Sequence, residues 1–157
     1  MNLSSLLRRF RLESLKINAV FLEAEIGFQQ ADRMAAWELY VELLTRITTQ
    51  ALPLGDGDES TALSSIHSIF ATTREVLKRH GPACITFSKI AVVVLNQVIR
   101  PFTARWHRLS LLNAFADPTQ CILFRSELET LQSQLHHYTQ LLAEIAGVED
   151  LSDLETT

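Results

Sequence analysis

A chain of 157 residues, 47% hydrophobic and 20% charged, is long enough to bury most of its apolar surface in one core. Its formal net charge of −4 excludes wholesale coating of nucleic acid, which needs a basic domain, and leaves room only for a local basic patch. With five glycines and four prolines, long stretches run without a backbone breaker, which favours helices over a strand-and-turn architecture.

Cys84 and Cys121 are the only cysteines, far apart and outside any C-x-x-C pattern. Neither a disulfide framework nor a cysteine zinc site is expected, and a reducing cytoplasm is the expected address. No apolar run approaches the ~20 residues that span a bilayer. Arg8, Arg9 and Arg11 stand near the start, but acidic residues interrupt the segment after them, so no signal-peptide core forms.

Taken in order, Leu3, Leu7, Phe10, Ile17, Phe21, Ala24 and Phe28 recur at alternating three- and four-residue steps, with Ser14 filling the gap. A second stripe of Leu15, Ala19, Leu22 and Ile26 runs beside it. Together they predict one long N-terminal helix with a wide apolar face. An amphipathic membrane anchor is the alternative, opposed by Glu13, Glu23 and Glu25, which would face anionic lipid. Gly27 and the polar run ending at Asp32 then mark a break, with Asp32 as N-cap of the next helix. That helix aligns Trp37, Tyr40, Val41, Leu44 and Ile47 on one side, widened by Ala36, Leu39 and Leu43. Trp37 and Tyr40, one turn apart, read as core rather than as a ligand-stacking pair.

Leu52–Ser60, LPLGDGDES, is the clearest loop. Asp56, Asp58 and Glu59 suggest calcium, but His67 stands where an EF-hand loop requires glutamate, so an acidic turn capping the next helix is preferred. The third helix starts near Ser60, buries Leu63, Ile66, Phe70 and Leu77, and leaves Arg74 on its polar side. Lys78, Arg79 and His80 complement its dipole, Gly81 suits its end and Pro82 stops it.

From Pro82 to Ile99 only Thr86, Lys89 and Asn96, continued by Arg100, form a thin polar line. A helix so apolar is expected to be central and buried on most sides. The β-branched Val92–Val94 run would suit a buried strand, but no second strand is present to pair with it. Pro101 places a kink or break there, and Phe102, Trp106 and Leu109 continue the helical spacing. Asp117 and Pro118 combine a cap with a first-turn proline, and Gln120 stands where a capping-box partner would. Phe124, Leu128, Leu131, Leu135, Tyr138, Leu142 and Ile145 then step without a gap to Gly147, a helix about 45 Å long. The acidic tail, residues 148–157, is expected to be loosely held. The whole predicts an all-α bundle of about five helices over residues 1–147, with a central apolar helix kinked near Pro101 and long terminal helices. Two heptad-like helices leave apolar surface for a homodimer or a partner helix.

The available chemistry is mostly negative. A di-iron bundle needs Glu-x-x-His motifs, and none of the five histidines has an acidic residue three positions before it. Adjacent His136 and His137 point to different faces of a helix and do not chelate one metal. No H-E-x-x-H, P-loop, G-x-G-x-x-G or G-x-S-x-G pattern occurs, and Cys84 lies on an apolar helix. No catalytic set, cofactor or metal site is therefore expected, and a metal or small-molecule-dependent enzyme ranks last. The one constellation is Arg100, Arg105, Trp106, His107 and Arg108, with Lys89 upstream. Arginines beside an indole suit a phosphate and a stacked base. The plainer reading makes Trp106 core and pairs the arginines with Glu127, Glu129 or Glu144.

The segments WELYVELLTRITTQ, VLNQVIRPFTARWHRLS and YTQLLAEIAGVEDL resemble small uncharacterised helical proteins of bacteria, some associated with antiviral or conflict gene clusters. The resemblance covers most of residues 19–154 and implies a bacterial accessory protein, without an activity or functional residue to transfer. The accessory bundle of diversity-generating retroelements is shorter and basic, and this acidic chain departs from it. The expected function is a non-catalytic interaction protein, an adaptor or accessory subunit with a protein partner. A nucleic-acid-binding accessory using the basic tip stands second, and membrane binding is not expected.

Overall fold

Each helix begins and ends where a side chain or a turn satisfies the backbone groups that a helix leaves unpaired. The computed structural model describes residues 1–46, 51–53, 55 and 58–156, and every regular element among them is helical. Helix α1 spans Leu3–Arg9, with the Asn2 side chain accepting from the Ser5 N–H at 2.9 Å. It ends because Arg11 takes a left-handed φ of 56°. The Leu12 N–H then donates to the Leu7 carbonyl at 2.8 Å and the Arg11 N–H to Arg8 at 3.1 Å. That pairing is a Schellman closure built on arginine instead of glycine. A short second helix, α2 (Ala19–Glu23), comes next with Asn18 as its cap.

The expected long N-terminal helix is thus two short ones separated by a turn. On a straight helix Leu12 would lie about 180° round from Leu3, facing away from the core. Leaving the helix at Arg11 buries both Leu12 and Leu15 with Leu3, Leu6 and Leu7. Periodicity alone does not distinguish the two outcomes.

Helix α3 (Gln30–Leu44) is the hub, lying against α4, α5 and most extensively α7. Asp32 is not its N-cap but its third residue, and it is fully buried. One carboxylate oxygen accepts from the Gln29 N–H at 2.8 Å and the other from the Phe87 N–H at 2.8 Å. One side chain therefore closes the first turn of α3 and the first turn of α5 (Ile85–Val94) together. Both helix N-termini carry the positive end of a dipole, which favours the negative charge placed there.

That docking sets the rotation of α3. Ala35, Ala36, Leu39, Tyr40 and Leu43 face inward, while Trp37 is 42% exposed and Val41 is exposed beside it. Trp37 is not core; Tyr40 is. Ile47, assigned to the same face, lies outside the described residues, as does Asp56 of the acidic loop.

Helix α4 (Glu59–His80) starts on Asp58, whose carboxylate accepts from the Thr61 N–H and hydroxyl. Those two bonds hold the Asp58 carboxyl below its ordinary range. Glu59 is engaged by Arg125, whose guanidinium also reaches the Pro53 carbonyl at 2.8 Å. The two carboxylates are occupied by a cap and an ion pair. After Gly81, at φ 66°, a 3₁₀ turn over Gly81–Cys84 leads into α5.

The kink expected at Pro101 takes the form of a widened turn. Leu95–Ile99 is π-helical and runs directly into α6 (Arg100–Leu111), with Pro101 in its first turn. A widened turn accommodates the donor that proline lacks without breaking the helix. Asn113 at φ 63° ends α6, and Asp117 caps α7 (Pro118–Ala146), 29 residues long. All seven residues of its predicted stripe are buried. Gly147 closes it as expected, with the Val148 N–H donating to the Ala143 carbonyl at 3.1 Å.

The C-terminal segment is held rather than loose. The Tyr40 hydroxyl accepts from the Leu151 N–H at 2.6 Å and donates to Asp150, and Ser152 is fully buried.

These contacts have two consequences for stability. Replacing Asp32 with Ala strands two buried N–H groups and should lower unfolding free energy by roughly 3 kcal/mol in chemical denaturation, with Asp32→Asn losing about half of that. The Tyr138 hydroxyl is buried without a partner, so burial pushes its pKa up. Tyr138→Phe should leave stability unchanged or raise it by up to about 1 kcal/mol.

Candidate functional site

The five residues of the basic segment fall on different faces of α6. Trp106 is fully buried, stacked 5.9 Å from Phe115 and edge-on to Phe124 at 5.1 Å. Its indole N–H donates to Glu127 at 2.8 Å. The other oxygen of Glu127 takes Arg105 at 2.7 Å, and that guanidinium lies 5.5 Å from the indole. Trp106 is therefore a core residue whose polar atom is satisfied, and it offers no face to a base. Arg108 is exposed on α6. Arg100 and His107 turn instead towards α4, where Arg100 sits 4.8 Å over Phe70 and His107 meets His67 edge-on at 4.8 Å. The segment is contiguous in sequence and divided in space.

The opposite outcome holds for α5, which the sequence places deep in the bundle. Phe87, Ile90, Ala91 and Val94 are buried, but Ile85 is 55% and Val92 43% exposed. Those two residues, one heptad apart on one face, form one wall of an open groove of about 760 Å³. The other wall is α2 with the segment before it, contributing Ile17, Val20 and Phe21, with Val20 81% exposed. A groove of this size on a small protein is the kind of apolar surface that marks an interaction site.

The groove is held open by a reciprocal clasp. The Gln97 side chain, projecting from the π-helical turn, accepts from the Lys16 N–H at 2.7 Å and donates to the Lys16 carbonyl at 2.7 Å. This fixes the chain entering α2 to the α5–α6 junction. The Lys89 ammonium lies 4.4 Å over the Phe21 ring and ties the same two walls together. Among the described residues, Lys16 and Lys89 are the only charged ones lining the groove. Glu25 is turned to the amino terminus at 2.5 Å and Glu23 to the Asn2 amide.

Comparison with protein-family models, with curated proteins and with solved structures gave no match. The groove is therefore read from its own chemistry. Among the described residues no group of three or more metal-ligating side chains converges. Cys84 is buried with its thiol on the Gly81 carbonyl, and burial raises the Cys121 thiol above its ordinary pKa.

The helical run Glu59–Leu111 contains an 18-residue stretch that by length and composition alone is apolar enough to cross a membrane, and only 33% of it is buried. This corrects the expectation that no apolar run approaches that length. Gly81 turns the chain between α4 and α5, whereas Pro101 lies within a helix that continues from α5 through the π-helical turn into α6. The low burial of the stretch goes with the open flank of α5.

Neighbouring residues of α6 should separate cleanly in denaturation experiments. Trp106→Phe removes a buried hydrogen bond and leaves a cavity, for an expected loss of about 2–3 kcal/mol. Arg105→Ala breaks a half-exposed ion pair and should cost less than about 1 kcal/mol.

Proposed function

We propose that this chain is a non-catalytic helical interaction protein, an adaptor or accessory subunit, that receives an amphipathic helix of a partner in the groove between α2 and α5. The observation that carries the reading is an open apolar channel with two lysines as its only charged lining among the described residues. Laying an apolar helix face into such a channel removes both apolar surfaces from water. The lysines select what flanks that face: carboxylates beside the apolar stripe neutralise Lys16 and Lys89, whereas a second copy of this chain would bring two more lysines to the seam. The partner is accordingly an acidic amphipathic helix.

The bacterial setting, and antiviral defence within it, is part of the proposal on the strength of the resemblance in the 37–50, 94–110 and 138–151 segments. A cytoplasmic address goes with it, supported by two cysteines that are far apart and free.

The test uses two designed helical peptides with the same leucine and isoleucine stripe, one flanked by glutamate and one by lysine, titrated against the full chain by fluorescence anisotropy. Tight binding of the glutamate peptide alone, lost in Val92→Glu and kept in Leu111→Glu, supports the reading. Equal binding of both peptides, or a stable dimer in light scattering that Val92→Glu dissolves, overturns it. Binding to vesicles of anionic lipid in place of the peptide overturns it as well.

A further inference from the structure

A second surface lies between α4 and α6. The two helices run antiparallel, and each carries a histidine and an arginine one heptad apart: His67 and Arg74 on α4, Arg100 and His107 on α6. The antiparallel order sets the histidines across from each other at one end and the arginines at the other. At a rise of ~1.5 Å per residue the two pairs stand about 10 Å apart along the groove. Ala71 and Ala104 form a floor of small side chains between them, in a groove of about 330 Å³.

Among the described residues, four nitrogenous side chains share this groove and no carboxylate lines it. The nearest acidic residues look elsewhere. Glu42 is held by Arg46, which reaches across to the Ser68 and Thr72 hydroxyls of α4. Glu75 lines a different groove, with Trp37 and Val41. A comparable basic cluster at Arg9, Arg11, His136 and His137 is answered by its own acids, Glu144 on Arg9 and Asp153 near His136. Among the described residues, the groove between α4 and α6 has no such answer. Arg100 is also set in place before any ligand arrives, lying over Phe70 with its Nε–H donating to Asn96 at 3.1 Å. Arg100 is exposed, and it is part of the groove lining.

We propose that the groove between α4 and α6 binds an extended phosphate-bearing anion, one phosphate held by Arg74 and Arg100 and a second by His67 and His107. Guanidinium groups match phosphate oxygens in geometry and charge, and a pair of phosphates spans the separation of the two ends. The inference is independent of the α2–α5 groove, because the two surfaces share no lining residue.

The arrangement also sets the protonation. Burial and then the neighbouring His67 hold His107 below its ordinary pKa. A phosphate at the histidine end opposes this lowering by attracting the charged His107 imidazolium, so binding takes up a proton there and strengthens as pH falls. The other charged groups around the groove are Arg74 and Arg100 in its lining and Arg46, paired with Glu42, beside it.

Calorimetry with the full chain would use inorganic phosphate, tripolyphosphate and a short thymidine oligonucleotide at low salt. Tripolyphosphate should bind better than phosphate, and about tenfold more tightly near pH 6 than near pH 8. The imidazole resonances of His67 and His107 should shift on addition. Arg74→Ala and Arg100→Ala should each weaken binding several-fold, while Arg108→Ala, the same loss of charge on the exposed side of α6, should not. A nucleic-acid backbone is the source if the oligonucleotide also binds and competes with tripolyphosphate; a small phosphorylated ligand is the source if it does not. The proposal is overturned if neither polyanion binds near pH 6, if Arg108→Ala loses as much as Arg74→Ala, or if the two imidazoles do not respond.

Discussion

The Asp32 carboxylate is the interaction on which the remaining geometry depends. Taking an ion out of water costs several kcal/mol unless its lone pairs and charge are answered. Asp32 has no cationic partner among the described residues, and it is answered by two backbone N–H groups, each at 2.8 Å, at the N-termini of two helices. Only one relative placement of α3 and α5 supplies both. Once Phe87 is held there, the rotation of α5 is fixed: Phe87, Ile90, Ala91 and Val94 turn inward, and Ile85 and Val92 turn out. The exposed flank of α5 is therefore a consequence of a buried polar contact and not of a shortage of partners. The exposure of Trp37 has the same cause, seen from α3.

The π-helical turn does comparable work at the other end of α5. Pro101 removes one donor from the helix, and the widened turn over Leu95–Ile99 takes up the mismatch while the axis continues. Gln97 lies within that turn, and its amide completes both backbone groups of Lys16. A backbone irregularity thus becomes the hinge pin of the groove. The Thr103 hydroxyl, shared between the Ile99 and Arg100 carbonyls, closes the turn from the α6 side.

What could be read from the sequence was whatever local chemistry decides. The α7 stripe, its Asp117 start and its Gly147 end are set by neighbours within one or two turns, and they were legible in full. The end of α1 was not, although Arg11 and Gly147 close their helices by the same pair of hydrogen bonds. Glycine announces a left-handed residue and arginine does not. Trp106 as core, with an arginine paired to Glu127, was the reading its sequence favoured and holds for Arg105; that the same Glu127, 21 residues away, also satisfies the indole is a tertiary fact. The cationic groove did leave a trace: histidine and arginine one heptad apart on each of two helices, in opposite order. Recognising it required knowing that α4 and α6 are antiparallel neighbours, which is a tertiary fact.

The helix from Ile85 to Leu111 consequently presents two unlike surfaces, apolar before Pro101 and cationic after it. Both carry positively charged lining residues, in a chain whose formal net charge is −4. The two statements are compatible because exposed charges act over a Debye length of about 10 Å at moderate salt, so a partner at either groove feels the local residues before the whole molecule. The carboxylates that could cancel the lysines and arginines there are committed elsewhere: Glu25 to the amino terminus, Glu42 to Arg46, Glu127 to Arg105 and Trp106. Local pairing, and not overall composition, leaves these two faces positive.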